Sequence, residues 1–204
     1  FNSRSDGDLR TIEKSVRFSS FQTGYQIIDR NSDNQEVFFV LKGSVRVANF
    51  STSGREIAFG SFEEGDFFGE ISAIDGKPRS ANVFAVSECE LASLSPPIFH
   101  KLLIKYPIIS SLVLERFAKI IRVADERIMD LSTLKVVQRV YIELLKMTDH
   151  DVAVPELWVI RPMLSHSEIA SRVGTTRETV ARVLGQLSEA KIVEKKPKAL
   201  YIRN

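Results

Sequence analysis

From Ile108 to Leu131 the chain runs 24 residues without a glycine or a proline. Pro107 stands just before the run, where a first helical turn tolerates it. Val113, Phe117, Ile120, Ala124, Ile128 and Leu131 recur at steps of three and four, the period of one helical face. Ile109, Leu112, Leu114, Ile121 and Val123 widen that face. At 1.5 Å per residue such a helix is ~36 Å long, more than one small β domain needs. Part of the face therefore needs another partner. A two-helix dimer seam through those six positions is expected; a helix packed wholly on its own domain is the alternative.

The two sides of the helix differ in character. Residues 16–94 read as β: Phe38-Phe39-Val40-Leu41 is a strand core, and Ser44-Val45-Arg46-Val47 alternates with the period of a half-buried strand. Turn signals at Ser53-Gly54, Glu64-Gly65-Asp66 and Asp75-Gly76-Lys77-Pro78 recur roughly every ten residues, as in a sandwich or barrel. Beyond the helix, Ser132-Thr133 interrupts the pattern and can cap a new helix near Leu134, so residues 132–134 read as a hinge. Asp149 to Pro162 reads as a loop or short hairpin with Trp158 packed.

Charge divides the chain again. Of its net +2, the segment from Leu164 onward carries eight Lys and Arg against four acids. A basic C-terminal module on a mildly acidic body suits an anionic partner at one end only; a solvated Lys-rich tail is the plainer alternative. With 204 residues and 44% hydrophobic content the chain can bury a core unaided. Its one cysteine, Cys89, can make neither an intrachain bridge nor a thiolate metal cluster. No apolar run approaches the ~20 residues of a membrane span and no secretory signal is visible, so the cytoplasm is the expected location. No Ser/His/Asp order, metal cluster or P-loop is present, and an enzyme is not expected.

Residues 164–187 are the most specific stretch. Ser165 with Glu168 has capping-box spacing, Ile169, Ala170 and Val173 face inward, and Gly174 permits a tight exit turn. Thr175 with Glu178 repeats the spacing, and Val180, Val183, Leu184 and Leu187 give a second helix its buried face. Two short helices joined by a glycine turn form a helix-turn-helix. The second helix exposes Arg177, Glu178 and Arg182: arginine can chelate guanine O6 and N7, and glutamate can accept from a cytosine amino group. Ser165, Thr175, Thr176 and Thr179 are candidate phosphate contacts. Ile192-Val193 and Leu200-Tyr201-Ile202 then bracket a basic tip with Lys195, Lys196 and Lys198, a wing.

A second constellation lies in the β region. Phe68-Gly69-Glu70-Ile71 reads as a strand end entering a short helix, and Pro78-Arg79-Ser80-Ala81 follows about ten residues on. Amides at a helix start favour an anion, Arg79 offers a planar fork for phosphate oxygens, and Glu70 suits a sugar hydroxyl beside it. Spacing alone leaves an internal Glu70–Arg79 salt bridge equally open.

In this order (Gly24, Phe38 to Gly43, Gly65-Asp66, Phe68-Gly69-Glu70, Pro78-Arg79-Ser80-Ala81) the chain resembles a cyclic-nucleotide-binding β-roll. With the long helix and the Arg177-Glu178-Thr179-Val180-Ala181-Arg182 helix, it resembles the Crp/Fnr superfamily of transcription regulators over residues 12–204. The resemblance implies an α+β fold: an N-terminal double-stranded β-helix (β-roll) over 1–106, a dimerisation helix over 107–131, the hinge at 132–134, and a winged helix-turn-helix over 135–204. It implies a homodimer reading a palindromic operator in double-stranded DNA, gated by non-covalently bound cyclic AMP or cyclic GMP. RNA polymerase is an implied partner, met through the Asp149–Pro162 loop. Ligand contacts are implied at Phe68, Gly69, Glu70, Ile71, Arg79, Ser80 and Ala81. Gly69 and Ser80 would meet the phosphate, Arg79 would pair with it and Glu70 would hold the ribose 2′-hydroxyl. Arg122, Ala124 and Asp125 would supply the long-helix side. There the Thr-Ser pair of the catabolite-activator branch is replaced by Ala124-Asp125, whose carboxylate can accept from a base amino group. A regulator of the same build answering another small ligand, or none, is the alternative. Cys89 alone cannot supply the redox branch's cluster, and His100, His150 and His166 form no haem-ligand set.

Overall fold

The computed structural model describes residues 14–150, 158–197 and 199–203. In chain order the strands of the β region are β1 (Arg17–Phe21), β2 (Gln26–Ile28), β3 (Val37–Lys42), β4 (Ser44–Phe50), β5 (Glu56–Glu63), β6 (Phe67–Phe68), β7 (Asn82–Ala85) and β8 (Cys89–Leu94). Helix α1 (Glu70–Asp75) sits between β6 and β7. Then come α2 (Pro96–Lys105), α3 (Pro107–Thr133), α4 (Val136–Lys146), β9 (Asp149–His150), β10 (Trp158–Ile160), α5 (His166–Val173), α6 (Arg177–Glu189), β11 (Val193–Lys196) and β12 (Ala199–Ile202). The β run expected over 16–94 is thus realised almost to the residue.

The chain divides into two compact units, one reaching Phe50 and resuming at Ala58–Lys119, the other comprising Ser51–Ile57 and the chain from Ile120 onward. In the first, two four-stranded antiparallel sheets, β1-β8-β3-β6 and β2-β7-β4-β5, enclose a core. Non-consecutive neighbours in both sheets are the mark of a roll rather than a meander. Alternation fills the core: Val45 pairs with Ala85 and Val47 with Val83, so one face of each strand points inward. Phe38 and Phe62 flank Phe68, with ring centroids 5.3 and 6.3 Å from it. A second apolar cluster joins Val37, Ala73, Phe99 and Val113. Its helix α2 was not anticipated. It starts at Pro96 and Pro97, where missing amides cost nothing, and ends at Tyr106, held extended by the following Pro107.

Helix α3 corrects two expectations. Val113 is 5% exposed and Phe117 is half-buried, both packed against the roll unit's own residues, which already cover much of these two positions of the expected seam. The helix also runs past Leu131 through Ser132 to Thr133, two residues into the expected hinge. The Thr133 hydroxyl donates to Met129 O four residues back at 2.7 Å, which satisfies it without leaving the helix. The break falls at Leu134-Lys135, and the Lys135 amide donates to Gln138 Oε1 at 2.9 Å to open α4.

The second unit packs α4, α5 and α6 against the sheet β11-β12-β10-β9. Val140, Leu144, Ile160, Ile169, Val180, Val183 and Leu200 form its core. Residues 149–150 and 158–160 pair as the expected hairpin, and Trp158 is 37% exposed. Residues 151–157, and with them most of the loop named for a polymerase contact, lie outside the described residues. Among the described residues no single helix is long and apolar enough to cross a membrane.

Candidate ligand site and nucleic-acid interface

In the roll, the motif residues are brought together but face inward. Gly69 is the N-cap of α1 with φ 85°, and a Cβ there would lie 2.7 Å from Arg79 Nη1 and 2.8 Å from Glu36 O. Glycine is required because the arginine occupies the space a side chain would need. Arg79 is 4% exposed. Its Nη1 donates to Gly69 O and Ser72 Oγ, both at 2.9 Å; its Nη2 donates to Asn34 Oδ1 at 3.1 Å and Glu36 O at 2.8 Å. The guanidinium therefore staples the β2–β3 loop to the first turn of α1. Burial lowers its pKa to about 10, against the pull of Glu36 and Glu70.

Glu70 is also 4% exposed. Burial pushes its carboxyl up from the ordinary 4.5, opposed by its own backbone amide and by the charges of Arg116 and Arg79. The internal alternative left open above is thus realised in altered form: Arg79 bonds carbonyls, a hydroxyl and an amide oxygen rather than Glu70. Phe68 is 2% exposed, a core ring with no surface to offer a ligand, and Ala81 is buried at 8%. Ile71 and Ser80 are exposed. Arg122, Ala124 and Asp125 are exposed on α3 and belong to the other unit.

Sequence reasoning missed Arg116. From α3 it reaches Asp66 Oδ1 at 3.3 Å and donates to Phe67 O. Its guanidinium carbon lies 4.5 and 4.3 Å from the ring centroids of Phe62 and Phe67. It fastens the long helix to the strand that leads into Gly69-Glu70. A lone arginine on a helix gives no signal of this in sequence, because its partners lie some fifty residues away.

The helix-turn-helix folds as expected with one shift. Ser165 Oγ accepts from the Glu168 amide at 3.2 Å and Glu168 Oε2 accepts from the Ser165 amide at 2.8 Å, a complete capping box. Gly174 turns the chain at φ 69°. The cap of α6 is Thr176, whose Oγ1 accepts from the Thr179 amide at 3.3 Å. Thr175 is neither cap nor phosphate contact: it is 7% exposed, its amide tied to Ala170 O. Arg177, Glu178 and Arg182 are all exposed. The Glu178 amide and the Thr176 hydroxyl hold the Glu178 carboxyl below its usual range.

The wing splits its lysines between faces. Lys195 pairs with the buried Leu200, which turns it toward the helices. There burial, Lys195 and Arg177 together lower the pKa of His166, first residue of α5. Lys196 lies over the Tyr201 ring at 4.5 Å. Lys198 falls outside the described residues.

A β-roll followed by a long helix and a winged helix-turn-helix defines a ligand-sensing, DNA-reading class of protein. Family models agree on both halves: a cyclic nucleotide-binding domain matches residues 18–106 and a Crp-like helix-turn-helix domain matches 138–204. The cyclic AMP receptor protein of Thermus thermophilus is 31% identical over 183 residues, covering 90% of this chain and 82% of its own. Vfr, a cAMP-activated global transcriptional regulator of Pseudomonas aeruginosa, is 32% identical over 172 residues, covering 82% and 80%. The c-di-GMP responsive global regulator CLP of Xanthomonas campestris shares the fold, with a TM-score of 0.82 at 21% identity over 97% of this chain and 99% of that one. The chain belongs to the Crp/Fnr family: it is a DNA-binding transcription regulator carrying a cyclic-nucleotide-binding domain, and not an enzyme.

Proposed function

We propose that this regulator is a cytoplasmic homodimer gated by a cyclic nucleotide, cyclic AMP as first choice and cyclic GMP as second. The observation that carries the reading is that one helix serves both units. Val113 and Arg116 of α3 are held by the roll, while the same helix from Ile120 onward belongs to the DNA-reading unit. In this reading a change at the roll passes along the helix toward the break at Leu134-Lys135.

Ile120, Ile128 and Leu131 are 40, 60 and 47% exposed at helical spacing with Ala124 between them. Each buried aliphatic side chain is worth ~1.5–3 kcal/mol, which favours covering this stripe with a second copy. Gly69, Glu70, Arg79 and Ser80 form the phosphate–ribose side of the proposed site. The relatives' cyclic AMP dependence supports the ligand class. The inward-facing Glu70 and Arg79 favour a second reading, in which another small ligand, or none, sets activity. RNA polymerase is proposed as a partner on family grounds alone.

Linkage supplies the test. Titration calorimetry with cyclic AMP and cyclic GMP, with and without operator DNA, must show each partner tightening the other by one common factor, typically ~5–150-fold. Equal nucleotide affinity with and without operator would overturn the gate. Sedimentation of the wild type and Ile128→Glu tests the seam: a dimer that becomes a monomer is expected.

A further inference from the structure

We infer that His166 and Lys195 hold one backbone phosphate of the operator beside the start of α6. His166 does so as an imidazolium, so DNA binding takes up a proton. His166 opens α5 directly after the Ser165 cap, and Arg177 opens α6 directly after the Thr176 cap. The β11–β12 register sets Lys195 opposite the buried Leu200, on the side of the wing that faces the helices. Three elements thus bring three cationic side chains to one edge of the reading head, where the charges of Lys195 and Arg177 both act on the His166 ring. Among the described residues none of the three side chains has a hydrogen-bond or ion-pair partner.

The neighbouring acids are engaged elsewhere. On α5 itself, Glu168 Oε2 accepts from the Ser165 amide at 2.8 Å. On α6, the Glu178 carboxyl is held by its own amide and the Thr176 hydroxyl. On β11, Glu194 Oε2 accepts from Arg203 Nη2 at 2.7 Å, and Lys196 lies on the other face of the wing, over Tyr201. The charged groups of α3 and α4 meet α5 at its far end: Glu143 accepts from Arg172, Arg139 donates to Val173 O and Arg127 to Ser171 O. A cation at a helix start is disfavoured by the positive end of the peptide dipoles. Half-buried and set near two further cations, His166 is ionised less readily in the free protein than an isolated imidazole. A phosphate reverses that balance, because it offsets the neighbouring charges and accepts a charge-assisted hydrogen bond from the imidazolium. The bound histidine then holds its proton more tightly than the free one. DNA affinity is greatest below the pKa of His166 in the free protein, and the gain is lost as pH rises through the higher value in the complex.

The test uses the full chain and two duplexes: a palindrome obtained with the wild type by binding-site selection, and a random-sequence duplex of the same length. The second reads the phosphate contact whether or not a nucleotide gates the protein. Affinities of wild type, His166→Gln and His166→Arg are measured by fluorescence anisotropy between about pH 5.5 and about pH 8.5, with and without cyclic AMP. Across that range the wild type is expected to lose ~10-fold more affinity than His166→Gln, on both duplexes alike. His166→Arg is expected to keep tight binding at the alkaline end. Calorimetry in buffers of different ionisation enthalpy is expected to show proton uptake by the wild type and none by His166→Gln. A wild type whose pH dependence matches that of His166→Gln overturns the inference. So does a His166→Gln loss confined to one base pair of the palindrome, which would make His166 a base reader.

Discussion

The roll and the winged helix use the same residue types in opposite ways. In the winged helix, Arg177, Glu178 and Arg182 stand in solvent on a helix whose other face is wholly apolar. In the roll, Glu70 and Arg79 are among the most buried polar side chains of the molecule. A reading head must display its charges before its partner arrives. The roll embeds its charges in the fold, so that residues resembling ligand contacts also hold the domain together. The same substitution should therefore damage stability in one unit and recognition in the other.

The sharpest break in this comparison is Arg79→Leu. It leaves two carbonyls, a hydroxyl and an amide oxygen without their shared donor, and should cost ~3–5 kcal/mol of unfolding free energy in urea denaturation. Loss of nucleotide binding in that variant would then report a damaged fold. Retention of full stability would show that the guanidinium is not a brace. In the DNA unit, Arg177→Ala should cost ~1–3 kcal/mol of operator affinity and relax preference at one base pair, with stability unchanged. Footprint titration on operator variants, beside a thermal melt, separates the two.

Arg116→Ala sits between these extremes. Removing a guanidinium stacked on Phe62 and Phe67 should cost ~1–2 kcal/mol of stability, measured by denaturation. Lys196→Ala at the wing should weaken all DNA sequences alike and reduce the salt slope of binding by about one unit.

The smallest effect is a pH dependence. Burial raises the Glu70 pKa above 4.5, so the folded state holds that proton more tightly than the unfolded chain. The associated stability is complete below pH 4.5 and is lost as pH rises through the raised value. Glu70→Gln should consequently be more stable than wild type at pH 8 and equal to it near pH 4, read from denaturation at both values. Equal stability at both values would show that Glu70 is solvated after all.

Periodicity and turn residues determined much of this protein in advance. The alternating strands over 16–94, the capping box at Ser165 and Glu168, the glycine turn at Gly174 and the exposed Arg177-Glu178 pair all follow from contacts within a few residues of chain. One error in the DNA unit is a single step: whether Thr175 or Thr176 caps α6 depends on which hydroxyl reaches the Thr179 amide. Tertiary structure alone decided where the side chains of the roll point. Arg79 meets partners at positions 34, 36, 69 and 72, Arg116 meets 66 and 67, and Val113 packs with Val37, Ala73 and Phe99 of the roll. Local pattern records the chemistry a residue carries. Whether that chemistry is spent on the fold or left for a ligand is set by contacts between strands and helices far apart in sequence, which only the packed chain brings within hydrogen-bond reach.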